Sequence, residues 1–95
     1  MSDIEVRDNP AHHRFELLVD GEAAGLAAYQ VREGAVIVTH SEVDRRFRGR
    51  GLAGELARRT LDQIRERDLR VVPLCPFFAH YVEEHPEYAD IVEDY

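Results

Sequence analysis

The densest chemistry in the sequence lies in the stretch DRRFRGRGLA, Asp44 to Ala53. Four arginines and two glycines stand together there, in a chain of formal net charge −7. Arginine presents a planar fork of donors that matches phosphate oxygens. Glycine lets ligand atoms approach the backbone and takes conformations that a β-carbon forbids. If a helix begins where this stretch ends, its first N–H groups lack intrahelical partners and carry about half a positive charge. Gly49 and Gly51 then form a compact backbone cradle for a pyrophosphate, with Arg46, Arg48 and Arg50 as flanking clamps. The stretch is not a Walker A loop, because the Lys-Ser/Thr pair is missing. It also lacks the third glycine of a dinucleotide fingerprint.

Other reactive residues are sparser. Cys75 is the sole cysteine, which excludes an internal disulfide and any CxxC metal site and fits a reducing compartment. It directly precedes Pro76 at an expected helix start, where free N–H groups stabilise a thiolate. The competing reading is a buried, inert small hydrophobe. His12 and His13 diverge as strand neighbours, and His80 and His85 are five apart, off one helix face; no metal site is expected. The acidic tail, with Glu83, Glu84, Glu87, Asp90, Glu93 and Asp94, reads as a solvated face; the alternative reading is a surface that attracts a cationic amine.

These residues need elements to position them. Ile4 to Arg7 is a weak strand, stopped by DNP. RFELLV, Arg14 to Val19, is strand-length and runs into Asp20-Gly21, a strong hairpin turn signal. GLAAYQVR, Gly25 to Arg32, pairs back on it, and Glu33-Gly34 supplies a second turn before AVIVTHSEV, Ala35 to Val43. From Leu52 the period changes: Leu56, Thr60/Leu61 and Ile64 mark one face of an amphipathic helix of about four turns. RVVPL, Arg70 to Leu74, is a short strand placed parallel to Ala35–Val43 by the crossover. Pro76 opens a second helix to His85, which Pro86 ends. The expected fold is α+β: an antiparallel β-meander leading into a β-α-β unit. The arginine-glycine loop falls between a strand end and a helix start, where open sheets with crossover helices bind ligands.

Length and composition narrow the function. The 95 residues make one expected domain, 1–95, with no repeat or low-complexity linker. Net charge −7 argues against a nucleic-acid binder, and no aromatic stacking platform accompanies the arginines. All twelve basic residues are arginine, so no lysine is present to form a Schiff base. No leader-like N-terminus and no apolar run long enough for a membrane is found, so a cytoplasmic protein with no membrane partner is expected.

RFRGRG, Arg46 to Gly51, resembles the Arg/Gln-x-x-Gly-x-Gly/Ala signature of the GNAT superfamily of N-acetyltransferases. The strand ending in SEV before it and the amphipathic helix after it match as well. VVPLCPFFAHYVEEHPEY, Val71 to Tyr88, looks like the closing strand and helix of small stand-alone GNAT-like domains, and Ala79-x-Tyr81 resembles the tyrosine-bearing helix of larger members. The resemblance covers roughly residues 14 to 88. It implies acetyl-CoA as cosubstrate and an amine as acceptor; a monomer or weak homodimer is expected. The pyrophosphate would rest on amides from Arg46 to Leu52, and the pantetheine arm would pair with Glu42 and Val43. The chain has no room for the additional N-terminal helices of larger members, which implies an acceptor site that is open or completed by a partner chain.

Acetyl transfer to an amine needs a neutral amine, a stabilised oxyanion and a proton for the departing thiolate. Strand alternation puts His40 and Glu42 on one face and Ser41 and Val43 on the other, unless a bulge intervenes. His40 or Glu42 is the natural base, against the reading of a packed strand histidine and a solvated strand end. Tyr81 falls where the family's thiolate-protonating tyrosine would, and is equally an ordinary core tyrosine with a polar tip. Cys75 lines the acetyl pocket or relays the group covalently. The alternative function is a non-catalytic acyl-CoA-binding or regulatory module that kept the cradle and lost the chemistry.

Overall fold

The computed structural model describes residues 3–93. A single five-stranded sheet of order β1-β2-β3-β4-β5 carries both helices. Strands β1 (Ile4–Asn9), β2 (Arg14–Val19), β3 (Glu22–Arg32) and β4 (Ala35–Val43) run antiparallel to their neighbours, and β5 (Arg70–Pro73) joins β4 in parallel. The two hairpin turns follow from their residues. Asp20 and Gly21 have φ of 51° and 82°, and Glu33 and Gly34 have φ of 46° and 81°. Positive φ at both central residues gives the turn whose twist matches two paired strands. β1 is longer than Ile4–Arg7, and β3 begins at Glu22 rather than Gly25.

The alternating burial of β2 sends Phe15, Leu17 and Val19 to the inner face and Arg14, Glu16 and Leu18 to the outer one. Helix α1 (Leu52–Glu66) lays Leu52, Leu56, Ala57, Thr60, Leu61 and Ile64 on the inner face. Its Arg59 and Gln63 side chains donate to the Ile4 and Val6 carbonyls at 2.7 Å each, covering the free edge of β1. Helix α2 (Pro76–Glu84) buries Phe78 beside α1 and stops one residue short of the expected His85. Pro86 opens a short 3-10 turn to Tyr88 rather than simply ending the helix.

The tail corrects the expectation of a merely solvated face. Its acidic side chains are exposed, but Tyr88 and Ile91 between them are buried. The Tyr88 hydroxyl donates to Asp62 at 2.7 Å. Val71 N–H donates to the Ile91 carbonyl at 2.9 Å and Glu93 N–H to the Val71 carbonyl at 2.8 Å. This short parallel bridge covers the outer edge of β5. Asp90 and Glu93 pair with Arg65 and Arg70. Asp94 lies outside the described residues.

β4 carries the irregularity that shapes the site. Its register with β3 slips between Ala28↔His40 and Tyr29↔Val38, leaving Thr39 as the extra residue of a bulge. Val36 and Val38 face the core before it. After it Ser41 and Val43 take the inner face, while His40 and Glu42 turn outward.

Candidate active site

β4 and β5 part at Val38. Its carbonyl accepts from both Leu74 N–H, at 3.0 Å, and Cys75 N–H, at 2.9 Å, where β4–β5 pairing ends at Val38↔Pro73. β4 continues to Val43 with no strand on that side. Asp44 N–H donates to Ala24 O at 2.6 Å, so alternation turns the backbone groups of Ser41 and Val43 away from β3 and into the gap. At the narrow end the Ser41 Oγ lies 3.1 Å from the Sγ of Cys75, which is 3% exposed.

At the wide end the gap meets the arginine-glycine loop. Asp44 accepts from Arg46 N–H at 2.9 Å and opens a 3-10 turn, Arg45–Phe47. That bond and the Arg46 side chain hold the Asp44 carboxyl below its ordinary range. Phe47 is buried and anchors the loop, with the guanidinium carbons of Arg46 and Arg50 each 5.4 Å from its ring centroid. Gly49 and Gly51 have φ of 83° and 71°, and a β-carbon at either would meet nothing within 4 Å. Backbone conformation, not crowding, is what calls for glycine there. Gly51 caps α1 without a side-chain hydrogen bond. The nearest helix acid, Glu55, is engaged by Arg58 at 2.8 Å and Arg59 at 3.5 Å. The first-turn N–H groups of α1 therefore face the loop with no protein anion upon them.

The arginines sort by partner. Arg7, Arg14, Arg46, Arg58, Arg59, Arg65, Arg67 and Arg70 each ion-pair with a carboxylate. Among the described residues Arg45, Arg48 and Arg50 have no such pair, and all three lie in the loop. In a chain of net charge −7 the uncompensated positive charge is thus concentrated at the open end of the gap.

A cleft of about 390 Å³ joins these parts, lined by Ser41, Glu42, Val43, Phe47, Arg48, Gly49, Gly51, Leu52, Ala53, Leu56 and Phe77. Of the residues expected from sequence, Glu42, Val43, Arg48, Gly49, Gly51 and Leu52 stand on its wall. Arg46 is turned away to Glu22, at 2.9 Å, and to Asp44; Arg50 lies over Phe47. Cys75 sits behind Ser41 and outside the cleft lining. Tyr81 is one turn beyond Phe77, half-buried and stacked on His85 at 3.8 Å between centroids. Burial raises its phenol pKa, with Arg58 opposing. His40 is on the outer face, its Nε2 3.1 Å from Glu42 Oε2. A carboxylate oxygen accepts there, so Nε2–H is the donor of this contact. The residues that sequence reasoning passed over are Ser41, Phe47, Ala53, Leu56 and Phe77. Phe77 had the clearest signal, an apolar ring at a helix start, and it is 40% exposed.

Among the described residues no group of three or more His, Cys, Asp or Glu is arranged to hold a metal ion. His80 pairs with Glu84, and His85 Nδ1–H donates to the Tyr81 carbonyl at 2.8 Å. No helix among the described residues is long and apolar enough to cross a membrane.

A strand gap that opens onto a glycine loop at a helix start defines a class, and the chain belongs to it: the profile of the GCN5-related N-acetyltransferase family matches residues 14–91. Relatives called Protein NATD1 align over most of the chain. The Xenopus tropicalis protein is 33% identical over 87 residues, 90% of this chain and 80% of that one. The Homo sapiens protein is 36% identical over 81 residues, 85% of this chain and 64% of that one. The fold resembles the solution structure of a GCN5-like protein from Staphylococcus aureus, with TM-score 0.71 and 22% identity, covering 100% of this chain and 93% of that one. It also resembles the ribosomal-protein-S18-alanine N-acetyltransferase of Escherichia coli, with TM-score 0.59 and 18% identity over 75% of this chain and 64% of that one.

Proposed function

We propose that the chain is an acetyl-CoA-dependent N-acetyltransferase that binds its donor in the β4–β5 gap and acetylates an amine by direct attack. The observation that carries this reading is the coincidence, at one end of the gap, of an uncapped helix start, two glycines at positive φ and arginines without ion pairs. That combination fits a polyanion held mainly by backbone amides. Acetyl-CoA, as substrate, supplies a pyrophosphate for this cradle and an acetyl group activated as a thioester.

The chain's own residues divide the remaining work. Amides from Arg46 to Leu52 hold the pyrophosphate, with Arg48 as the side-chain clamp on the cleft wall, Arg50 held over Phe47 and Arg46 fixing the loop through Asp44 and Glu22. Backbone groups at the end of β4, around Glu42 and Val43, pair with the pantetheine arm. Leu52, Leu56 and Phe77 supply an apolar wall that limits water. Cys75 backs Ser41 at the narrow end, one layer behind the cleft wall. His40, with Nε2–H directed at Glu42, offers Nδ1 as a base for the incoming ammonium. Tyr81 stays protonated at neutral pH and can donate to the departing sulfur. The free Cys75 fits a reducing compartment such as the cytoplasm.

One observation favours a second reading, a module that binds acyl-CoA without turnover: His40, Cys75 and Tyr81 all stand outside the lining of the donor cleft. Calorimetric titration with CoA tests the binding shared by both readings. The expected result is a saturable complex that weakens with added salt. No binding at low salt would remove both.

A further inference from the structure

A second and larger cleft, of about 570 Å³, lies on the outer face of the sheet, opposite the helices. Its walls include Arg14 and Glu16 of β2, Glu42 of β4, and Asp44, Arg45 and Arg48 of the loop, over a floor containing Leu18 and Leu26. Glu42, Val43 and Arg48 line both this cleft and the donor cleft. The two clefts therefore meet along the end of β4, which has no strand beyond it. The bulge at Thr39 is what turns Glu42 and His40 to this outer side.

Charge is laid out unevenly in the second cleft. Arg14 is spent on Glu16 at 2.8 Å, and this contact, followed by Asn9, lowers the Glu16 carboxyl pKa. Among the described residues Arg45 and Arg48 have no carboxylate partner, and Glu42 pairs with the exposed His40 alone. With Arg48 assigned to the donor, the cleft offers one spare cationic group, Arg45, at the loop end, an anionic group, Glu42, on β4 and a half-buried floor of Leu18 and Leu26. A simple cationic amine leaves Arg45 unanswered, and a simple anion leaves Glu42 unanswered. A ligand with both groups answers both, and charge-assisted hydrogen bonds are the strong ones.

We propose that this outer cleft is the acceptor subsite, and that it selects amines that also carry a carboxylate or phosphate, with the anionic group on Arg45 and the amine toward Glu42. The acceptor then approaches β4 from the face opposite the donor. The inference rests on the donor reading above, but its geometry is testable without it.

The test is an NMR titration of the full chain with L-leucine and with isopentylamine, the same skeleton without the carboxylate, each with and without saturating CoA. L-Leucine should shift amides at Leu18, Leu26, Glu42 and Asp44 and bind about tenfold more tightly than isopentylamine, the scale of one charge-assisted contact. Arg45→Gln should erase that preference, while Arg32→Gln, remote from the cleft, should retain it. Equal affinities, shifts outside the cleft, no shifts, or a preference that survives Arg45→Gln would overturn the proposal. The donor reading is scored separately by CoA shifts on Ser41–Val43 and Arg48–Gly54. Their absence would remove that reading, while the titration without CoA still judges the outer cleft.

Discussion

The Ser41 Oγ and the Cys75 Sγ stand 3.1 Å apart across the point where β4 and β5 separate. This contact closes the narrow end of the β4–β5 gap, and the bulge at Thr39 creates it by rotating Ser41 inward. Cys75 is 3% exposed and packed among core residues, which suits a wall of the acetyl pocket better than a mobile nucleophile. Cys75→Ala is expected to cost about 1 kcal/mol of stability and to keep turnover. Turnover lost in a folded Cys75→Ala protein, with an acetylated wild-type protein trapped by mass spectrometry, would reinstate the covalent relay.

Gly49→Val separates cradle from fold. No atom lies within 4 Å of a β-carbon there, but φ is 83°. The expected stability loss is about 1–2 kcal/mol, with CoA affinity reduced by about tenfold or more as amides leave the pyrophosphate. Paired denaturation and calorimetry check this. Unchanged CoA affinity would undo the cradle assignment.

Gly25 is constrained in a different way. A β-carbon on it would stand 2.5 Å from the Glu42 carbonyl and 3.2 Å from Val43 Cα. Gly25→Ala must therefore push β4 away from β3 at the residues both clefts share. The expected cost is about 1–3 kcal/mol in urea denaturation, with weaker CoA binding. Wild-type stability would show that β3 and β4 can yield there.

The Tyr29 hydroxyl donates to Asp8 at 2.6 Å, and burial, then that carboxylate, pushes its pKa up to about 12 from 10.0. A folded-state value above the unfolded one means stability present below pH 10.0 and lost as pH rises toward about 12. Tyr88, raised by burial and Asp62, acts in the same direction. Urea midpoints should fall along this alkaline limb. Tyr29→Phe should make the limb shallower; an identical limb in that variant would place the titration elsewhere.

Much of the fold was legible because its signals are local. Asp20-Gly21 and Glu33-Gly34 need no tertiary context to form hairpin turns, and the apolar stripe of α1 fixes its buried face. The glycine spacing of the loop likewise marked backbone at positive φ, found at Gly49 and Gly51. The bulge at Thr39 was not legible, because it comes from pairing register with β3 and leaves no mark in residue type. It decides which of His40 and Ser41 faces the β4–β5 gap. The directions of Arg46 and Arg50 were hidden too, being set by Glu22 and Phe47. In the tail, Tyr88 and Ile91 are isolated apolar residues among acids, and only Asp62, Arg65 and Arg70 on distant elements reveal why they dock.

Acetyl transfer itself is the central claim. The direct measurement is thiol release from acetyl-CoA across a panel of amines, amino acids and peptides, with the N-acetyl product identified by mass. The account predicts release that depends on acceptor, is lost in Gly49→Val and falls when His40 or Glu42 is replaced. A protein that binds CoA tightly yet releases no thiol with any acceptor would contradict it and leave the acyl-CoA-binding module as the function.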